Sequence, residues 1–201
     1  MLLASVSEIR DALGFDDMTD INAAITDALN AAEHMLASAL NTSFELTEVT
    51  DVFYVDAPTV IQGSHRRTEF WLSRGFLRAA ATVTGFAGTQ GDLRYDLEKG
   101  IVKDITTDYS DTTLTFVYSA GFPRIVDDAD ADPVTYTDRY DLAFVPKWLQ
   151  EAAKLQTFIS LADAAPITEA GIKIDVTALQ TQLQTLMNTR IRYAPMALYP
   201  L

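Results

Sequence analysis

The amino-acid sequence predicts an α+β protein that is mainly helical, with a bundle of about four helices and a small antiparallel β-region inserted between them. Apolar residues recur at three- and four-residue spacing near both ends of the chain, while aromatic and β-branched residues fill the middle. Two prolines interrupt the last residues. The expected divisions of a single domain, residues 1–201, are a helical core (1–42 and 145–193), a β-rich insertion (43–122), an acidic loop (123–144) and an extended tail (194–201).

Two helices are predicted before residue 42. Residues 5–8, Ser-Val-Ser-Glu, match the capping-box pattern, in which the Ser5 hydroxyl and the Glu8 carboxylate each accept a hydrogen bond from an otherwise unpaired backbone N–H. A short helix is therefore expected over residues 6–13. A longer amphipathic helix is expected over residues 19–40, where the apolar residues are Ile21, Ile25, Ala28, Leu29, Ala32, Met35, Leu36 and Ala39.

The middle of the chain predicts strands. Five segments combine aromatic and β-branched residues and are separated by turn formers: residues 44–55, 69–72, 93–97, 100–105 and 113–118. Residues 98–100, Glu-Lys-Gly, suit a hairpin turn because glycine takes a positive φ at little steric cost. Residues 76–86 stay open between helix and strand, since three alanines favour helix and the following Thr-Val-Thr favours strand.

The last third of the chain predicts a loop and two more helices. Residues 126–140 are rich in aspartate and contain a proline, so a solvated loop is expected there. Pro146 suits the first residue of a helix that ends before Pro166. Asp175 is expected to cap a final helix. The apolar stripes of these two helices are Trp148, Leu149, Ala152, Leu155, Ile159 and Ala162, and Val176, Leu179, Leu183, Leu186, Met187 and Ile191.

The charge balance and the residue inventory narrow the function. Fifteen basic and 28 acidic side chains give a formal charge of −13, which disfavours general binding to nucleic-acid phosphates or to an anionic membrane. The chain has no cysteine, so disulfides, thiolate nucleophiles and zinc-thiolate sites are excluded. The first residues lack a signal-peptide core and no apolar run approaches the ~18 residues that span a bilayer, so the protein is expected in the cytosol unless a particle carries it out.

Catalytic and metal-binding motifs are incomplete in this sequence. His34 and His65 lie outside any metal-ligand spacing. The aspartates at 128, 130 and 132 alternate as in a calcium loop, but Pro133 replaces the required glycine and Arg139 replaces the bidentate glutamate. The sequence therefore predicts no catalytic residue, no cofactor and no metal. A hydrolase that uses a carboxylate pair within the β-region remains the alternative.

The C-terminal end differs in charge from the rest of the chain. No acidic residue follows Asp175, although the protein as a whole is strongly acidic. Such a tail either folds back on its own domain or inserts into a partner, and insertion is favoured because Tyr, Met and Arg anchor interfaces and proline lowers the ordering cost. The predicted partner-binding residues are Arg190, Arg192, Tyr193, Pro195, Met196, Leu198, Tyr199 and Leu201.

A second basic stretch lies among aromatic residues. One interpretation gives it a role against an acidic neighbouring subunit or nucleic acid, and the other is a strand whose arginines face water. The residues predicted to contact a subunit or neighbour are Arg66, Arg67, Trp71, Arg74 and Arg78.

Several short motifs follow one another in a recognisable order. Residues 115–122 read as a strand that ends in Tyr-x-Ala-Gly-aromatic, and Val145-Pro146 then precedes a helix that begins Leu-x-x-Ala, with Leu149 and Ala152. An early long helix, a hairpin over residues 94–102 and a closing arginine-containing segment complete the order. This arrangement resembles the head–tail connector (adaptor) proteins of tailed bacteriophages over most of the chain.

The resemblance implies a mainly helical protein with a β-rich part that assembles into a ring, commonly of twelve subunits, and docks on the portal protein. It implies that the C-terminal helix and tail contact the portal, while a downstream neck or tail protein binds the opposite face. Genomic DNA would pass through an acidic channel without specific binding. The protein would be made in the host cytoplasm and reside at the neck of the virion, without membrane contact. Another neck or tail component, such as a stopper or a tail terminator, is the alternative within this class.

Overall fold

The structure, a computed structural model, describes residues 2–15, 20–55, 69–85, 92–104, 112–128, 135–162, 164–169, 171–188 and 190. These residues form two compact units. The helical unit contains the described residues of 2–41 and 122–190, and the β unit contains those of 42–121.

Along the chain, the described strands lie together between two groups of helices. They are α1 (Val6–Ala12), α2 (Asn22–Ala39), β1 (Thr47–Val55), β2 (Glu69–Trp71), β3 (Thr82–Thr84), β4 (Leu93–Asp96), β5 (Ile101–Asp104), β6 (Thr112–Ala120), β7 (Arg124–Asp128), β8 (Thr135–Tyr140), α3 (Lys147–Leu161), α4 (Ala165–Glu169) and α5 (Val176–Asn188).

The prediction of a mainly helical bundle of about four helices is wrong. Within the described ranges the chain forms five helices and eight strands, and the strands make three antiparallel sheets. The strand content was underestimated because β7 and β8 lie where an acidic loop was predicted, and because β3 has only three residues, too few for a period-2 pattern to be recognised. The five predicted strand segments overlap β1, β2, β4, β5 and β6. β3 lies within residues 76–86, where the sequence left helix and strand open.

The helical unit is held together by the apolar stripes of its longer helices. α2 packs against α3, and α3 packs against α5. Ile25 and Leu29 of α2 are fully buried, as are Leu149 and Ala152 of α3. Burying a leucine or isoleucine side chain stabilises the fold by about 1.5–3 kcal/mol, so packing contributes more than helix propensity. Among the described helices, none is long and apolar enough to cross a membrane.

The helix ends confirm one predicted cap and contradict another. The Asp175 carboxylate accepts a hydrogen bond from the Ala178 N–H (3.0 Å), as predicted for α5. The capping box predicted at α1 is wrong, because the Ser5 side chain makes no cap hydrogen bond. The Ser5 hydroxyl instead bonds to the Ser7 hydroxyl (2.7 Å). Glu8 forms an ion pair with Lys154 of α3 (2.6 Å), a contact 146 residues away that the local pattern does not reveal.

Strands replace much of the predicted acidic loop over residues 123–144. β7 and β8 pair as an antiparallel hairpin with irregular register, and residues 129–134 between them lie outside the described residues. Tyr140 at the end of β8 is 1% exposed, and its hydroxyl donates to Glu33 Oε1 of α2 (2.7 Å). One buried tyrosine therefore anchors a segment whose aspartates had suggested a loop.

The β unit is built from two three-stranded sheets around one core. The first sheet has the order β1-β6-β3 and the second has the order β2-β5-β4. The rings of Phe53, Phe70 and Phe116 meet at centroid distances of 5.3–5.6 Å, a spacing at which aromatic pairs attract. The buried residues of this core are Phe70, Leu72, Leu77, Ala81, Leu93, Val102, Leu114, Phe116, Tyr118 and Ala120.

Two glycines let backbone segments of the β unit approach each other closely. Gly100 ends the turn between β4 and β5 with φ +64°, and a Cβ atom there would overlap the Arg74 carbonyl oxygen. Gly121, directly after β6, has φ +99°, and a Cβ atom there would overlap the Glu45 carbonyl. Both positions therefore require glycine for conformation and for space.

Replacing Gly121 with alanine should destabilise the β unit strongly. The left-handed backbone costs a residue with a Cβ about 1–2 kcal/mol, and the overlap with Glu45 adds roughly 1–3 kcal/mol. Gly14→Ala is the matched control, because Gly14 has φ +77° and open space around it, so only the first cost applies. Urea unfolding of both variants measures the difference. Equal losses would show that the contact with Glu45 is relieved without cost.

Candidate interaction surface

The predicted partner-binding tail is described at one position only, Arg190. Its guanidinium lies over the Trp148 ring, with the central carbon 5.2 Å from the ring centroid. A cation–π contact of this kind contributes about 0.5–2 kcal/mol, so Arg190 joins the end of α5 to α3. The other predicted tail residues, Arg192, Tyr193, Pro195, Met196, Leu198, Tyr199 and Leu201, lie outside the described residues.

The predicted basic contact segment is described from residue 69 onward, and Arg66 and Arg67 lie outside the described residues. Trp71 lies in β2, and its buried indole N–H has no acceptor among the described residues. Arg74 and Arg78 serve the fold through their backbones. The Arg74 N–H donates to the Tyr118 hydroxyl (3.1 Å), and the Arg78 N–H donates to the Ser119 carbonyl (2.9 Å). Their role against a neighbouring subunit stays a prediction.

An aspartate on the core side of β1 organises the polar contacts of the β unit. The Ser73 N–H and the Tyr118 hydroxyl both donate to Asp51 Oδ2, at 2.6 and 2.7 Å. The Ser73 hydroxyl lies 3.3 Å from the Tyr118 hydroxyl, which also accepts the Arg74 N–H. Asp51 and Tyr118 belong to the first sheet, and residues 73 and 74 lie two and three residues after the end of β2 of the second. The cluster therefore ties the two sheets together.

Burial raises the pKa of Tyr118 to about 12, and the hydrogen bond to Asp51 and its negative charge act in the same direction. The donors from Ser73 and Arg74 oppose the shift. The neutral phenol is therefore the form that the folded protein stabilises, since ionisation would set a phenolate beside a carboxylate. Tyr118 acts here as a structural donor, and its raised pKa makes it a poor general base near neutral pH.

The outer face of the first sheet is nearly free of charge. This outer face comprises the side chains that alternate with the core-facing ones, and Glu48 alone among them is charged. Val52 is 62% exposed and Tyr54 is 67% exposed. Such a surface is unusual on a chain with 43 charged residues and a net charge of −13. The residues of the outer face are Glu48, Thr50, Val52, Tyr54, Thr82, Thr84, Thr113, Thr115, Val117 and Ser119.

A shallow cleft of about 280 Å³ lies at one end of the outer face. Glu48 and Arg78 contribute opposite charges to its wall, and Thr82 and Ser119 contribute hydroxyls. Neither hydroxyl has a histidine in the wall to activate it as a nucleophile. The cleft is wide enough to accept a polar side chain of a partner protein.

The alternative of a carboxylate-dependent hydrolase gains no support from the described geometry. Asp51, on the core side of β1, already accepts two hydrogen bonds. Within the described ranges, no group of three histidine, aspartate or glutamate side chains is arranged to hold a metal ion. His34 is exposed on α2. His65 and the aspartates at 130 and 132 lie outside the described residues.

The outer face was missed by the sequence reasoning, which pointed to the tail and to the basic stretch. Its signal is present in β1, where the positions 48, 50, 52 and 54 share one face. Val52 and Tyr54 on that face are larger and more apolar than the usual solvent-facing residues of a strand. The signal was hidden because the opposite phase, with Val49 and Phe53, is also apolar.

Replacing Tyr118 with phenylalanine should destabilise the β unit and change its response to alkali. The Asp51 carboxylate loses one donor and the Arg74 N–H loses its acceptor, at a cost on the order of 1–3 kcal/mol at pH 8. In the wild type the raised pKa of Tyr118 contributes stability that is complete below pH 10 and is lost as pH rises toward about 12. The variant lacks this loss, so the free energies of unfolding of the wild type and the variant should converge as pH rises.

Urea unfolding at pH 8 to 12 measures this effect, in a Trp148→Phe background in which Trp71 reports on the β unit alone. Tyr54→Phe is the control, because Tyr54 is 67% exposed. It should follow the wild type at every pH. A constant gap between Tyr118→Phe and the wild type would contradict the assigned role of the hydroxyl.

Comparisons with known proteins give likenesses to solved structures. No protein-family model matches the chain, and no curated protein matches it. A chain in a solved structure described as "Neck of empty GTA particle computed with C6 symmetry" is 14% identical, over 98% of this chain and 94% of that chain, with a TM-score of 0.48. A likeness at this identity and TM-score does not assign a function.

Proposed function

We propose that the protein is a structural, non-catalytic connector of a tailed-phage neck. In this function its copies form a ring, commonly of twelve subunits, that docks on the portal protein and receives a downstream neck or tail protein. The DNA passes through the ring without specific binding. The proposal starts from the sequence resemblance to head–tail connectors and is supported by the parts that the resembling residues play.

The observation that carries the proposal is that the connector-like motif consists of core residues in both units. Tyr118 donates to Asp51, and Gly121 takes a conformation that excludes other residues. Farther along the chain, Val145 is 3% exposed, and Leu149 and Ala152 are fully buried. A motif whose members each meet a packing requirement is more specific to one fold than the same letters at exposed positions. This supports a connector over an unrelated α+β protein.

The surface chemistry agrees with an assembly role. The outer face offers threonines, Val52 and Tyr54 to a protein partner, with little charge to desolvate. The net charge of −13 repels the phosphate backbone and favours passage of DNA over adhesion. The region after Asp175, which carries no acidic residue, is the proposed portal contact.

Deleting residues 192–201 should abolish binding to the portal protein and leave the fold intact. The deletion keeps Arg190, whose guanidinium rests on Trp148, so the packing of α5 on α3 is preserved. Circular dichroism and thermal unfolding check the fold, and electron micrographs of the protein mixed with its portal, scored for rings, check the assembly.

A second variant keeps the full length of the chain and replaces Tyr193, Met196 and Tyr199 with serine, which removes the anchoring side chains. Both variants should lose ring formation on the portal. A deletion variant that fails to fold, together with a folded serine variant that still binds, would show that the tail belongs to the core of the subunit and would refute the proposed contact.

A further inference from the structure

β1 lies at one edge of the first sheet, and the side of the strand that faces away from β6 is long and regular. β1 has nine residues and pairs with β6 in one unbroken register from Thr47 with Ala120 to Val55 with Thr112. In the part of the chain that the structure describes, no strand pairs with the opposite edge of β1. That edge therefore presents a row of backbone N–H and C=O groups that can bond to another strand.

The core of the β unit is incomplete along the same edge. The core-facing residues of β6 are fully covered, with Leu114 and Phe116 at 0% exposure. The corresponding residues of β1, Val49 and Phe53, are only partly buried, although Phe53 contacts both Phe70 and Phe116. An additional strand beside β1 would cover Val49 and Phe53 further.

β1 lacks the features that normally prevent edge strands from pairing. It contains no lysine and no proline, and its register with β6 has no bulge. Its one core-facing charge, Asp51, already accepts hydrogen bonds from Ser73 and Tyr118. A strand added at the edge would therefore not leave this carboxylate without donors.

The charge pattern favours a second copy of this chain as the added strand. Two chains of charge −13 repel one another wherever acidic surfaces meet. On the outer face of β1 only Glu48 is charged, and Val52 and Tyr54 are exposed. Two copies of β1 also match in length, so most backbone groups along the edge find a partner in the other copy.

We propose that β1 is a self-association site, at which the β1 strands of two copies pair antiparallel about a two-fold axis. Centring the axis on Asp51 sets two carboxylates opposite each other, which is unfavourable. Centring it on Val52 sets Val52 against Val52 of the second copy and Thr50 against Tyr54 of the second copy. The paired region then covers residues 49–55 and leaves Glu48 outside.

This pairing goes beyond the proposed function and does not rest on it. A two-fold contact uses the same surface on both copies and stops at two, whereas a ring that faces the portal requires head-to-tail contacts. The resulting sheet would have six strands in the order β3-β6-β1-β1-β6-β3. Loss of this pair is therefore distinguishable from loss of portal binding.

Disulfide trapping tests the register directly, because the chain has no cysteine of its own. Residues opposite each other in an antiparallel pair have Cα atoms about 4.5–5.5 Å apart, within the range of about 4.4–6.8 Å that a disulfide spans. Val52→Cys should form a covalent dimer under mild oxidation at low micromolar concentration. Thr84→Cys, on the outer face but on β3, is the control and should stay monomeric. Equal cross-linking of both variants, or none in Val52→Cys, would overturn the proposal.

Sedimentation equilibrium of the full chain provides the second measurement. Val52→Lys removes the apolar contact and sets like charges opposite each other at the axis, so the dimer dissociation constant should rise by roughly 100-fold. Thr84→Lys adds the same charge on β3, away from β1, and should leave the dimer dissociation constant within about threefold of wild type. A wild type that is monomeric at 100 µM, or equal effects of the two lysines, would contradict self-pairing. Portal binding that is retained by Val52→Lys would support separate surfaces for self-pairing and for portal binding.

Discussion

The hydrogen bonds to Asp51 are the constraint on which the β unit depends. A carboxylate on the core side of a strand is costly unless its oxygens are satisfied. Oδ2 accepts the Ser73 N–H and the Tyr118 hydroxyl, which places the residues after β2 against the first sheet. The Gly75 N–H donates to the Thr42 hydroxyl (3.2 Å), and the Phe76 N–H to the Glu98 carbonyl (2.9 Å). The segment from 73 to 76 is thereby held from several sides.

This arrangement has a consequence for the surface of the first sheet. Since Asp51 takes the core-facing phase of β1, the residues on either side of it face outward, and Val52 becomes 62% exposed. The same alternation brings Tyr54 to the outer face, beside threonines of β6. Val49 and Phe53 share the core-facing phase with Asp51. The polar cluster and this apolar packing therefore together leave Val52 and Tyr54 available to a partner.

The sequence predicted the long helices and the strands β1, β2, β4, β5 and β6. It did not predict β7, β8 or which phase of β1 faces the core, for a physical reason. Residues 19–40 and the segment after Pro146 contain several turns of amphipathic periodicity, and the helices lie there. β1 offers no such guide, because both of its phases contain apolar residues and one contains Asp51. The donors that settle the phase, Ser73 and Tyr118, lie 22 and 67 residues away. The predicted tail contacts rest on charge and composition, which indicate a surface but not its geometry.

The acidity of the chain and its uncharged outer face act over different distances. At physiological ionic strength charges interact over about 8 Å, so the repulsion between two chains of charge −13 depends on which surfaces approach. Where acidic side chains oppose each other, contact is unfavourable, and where threonine, valine and tyrosine meet, desolvation costs little. Contact between copies is thus selected chiefly by the places that lack charge. Charge therefore restricts the ways in which two copies can meet without supplying any strong attraction.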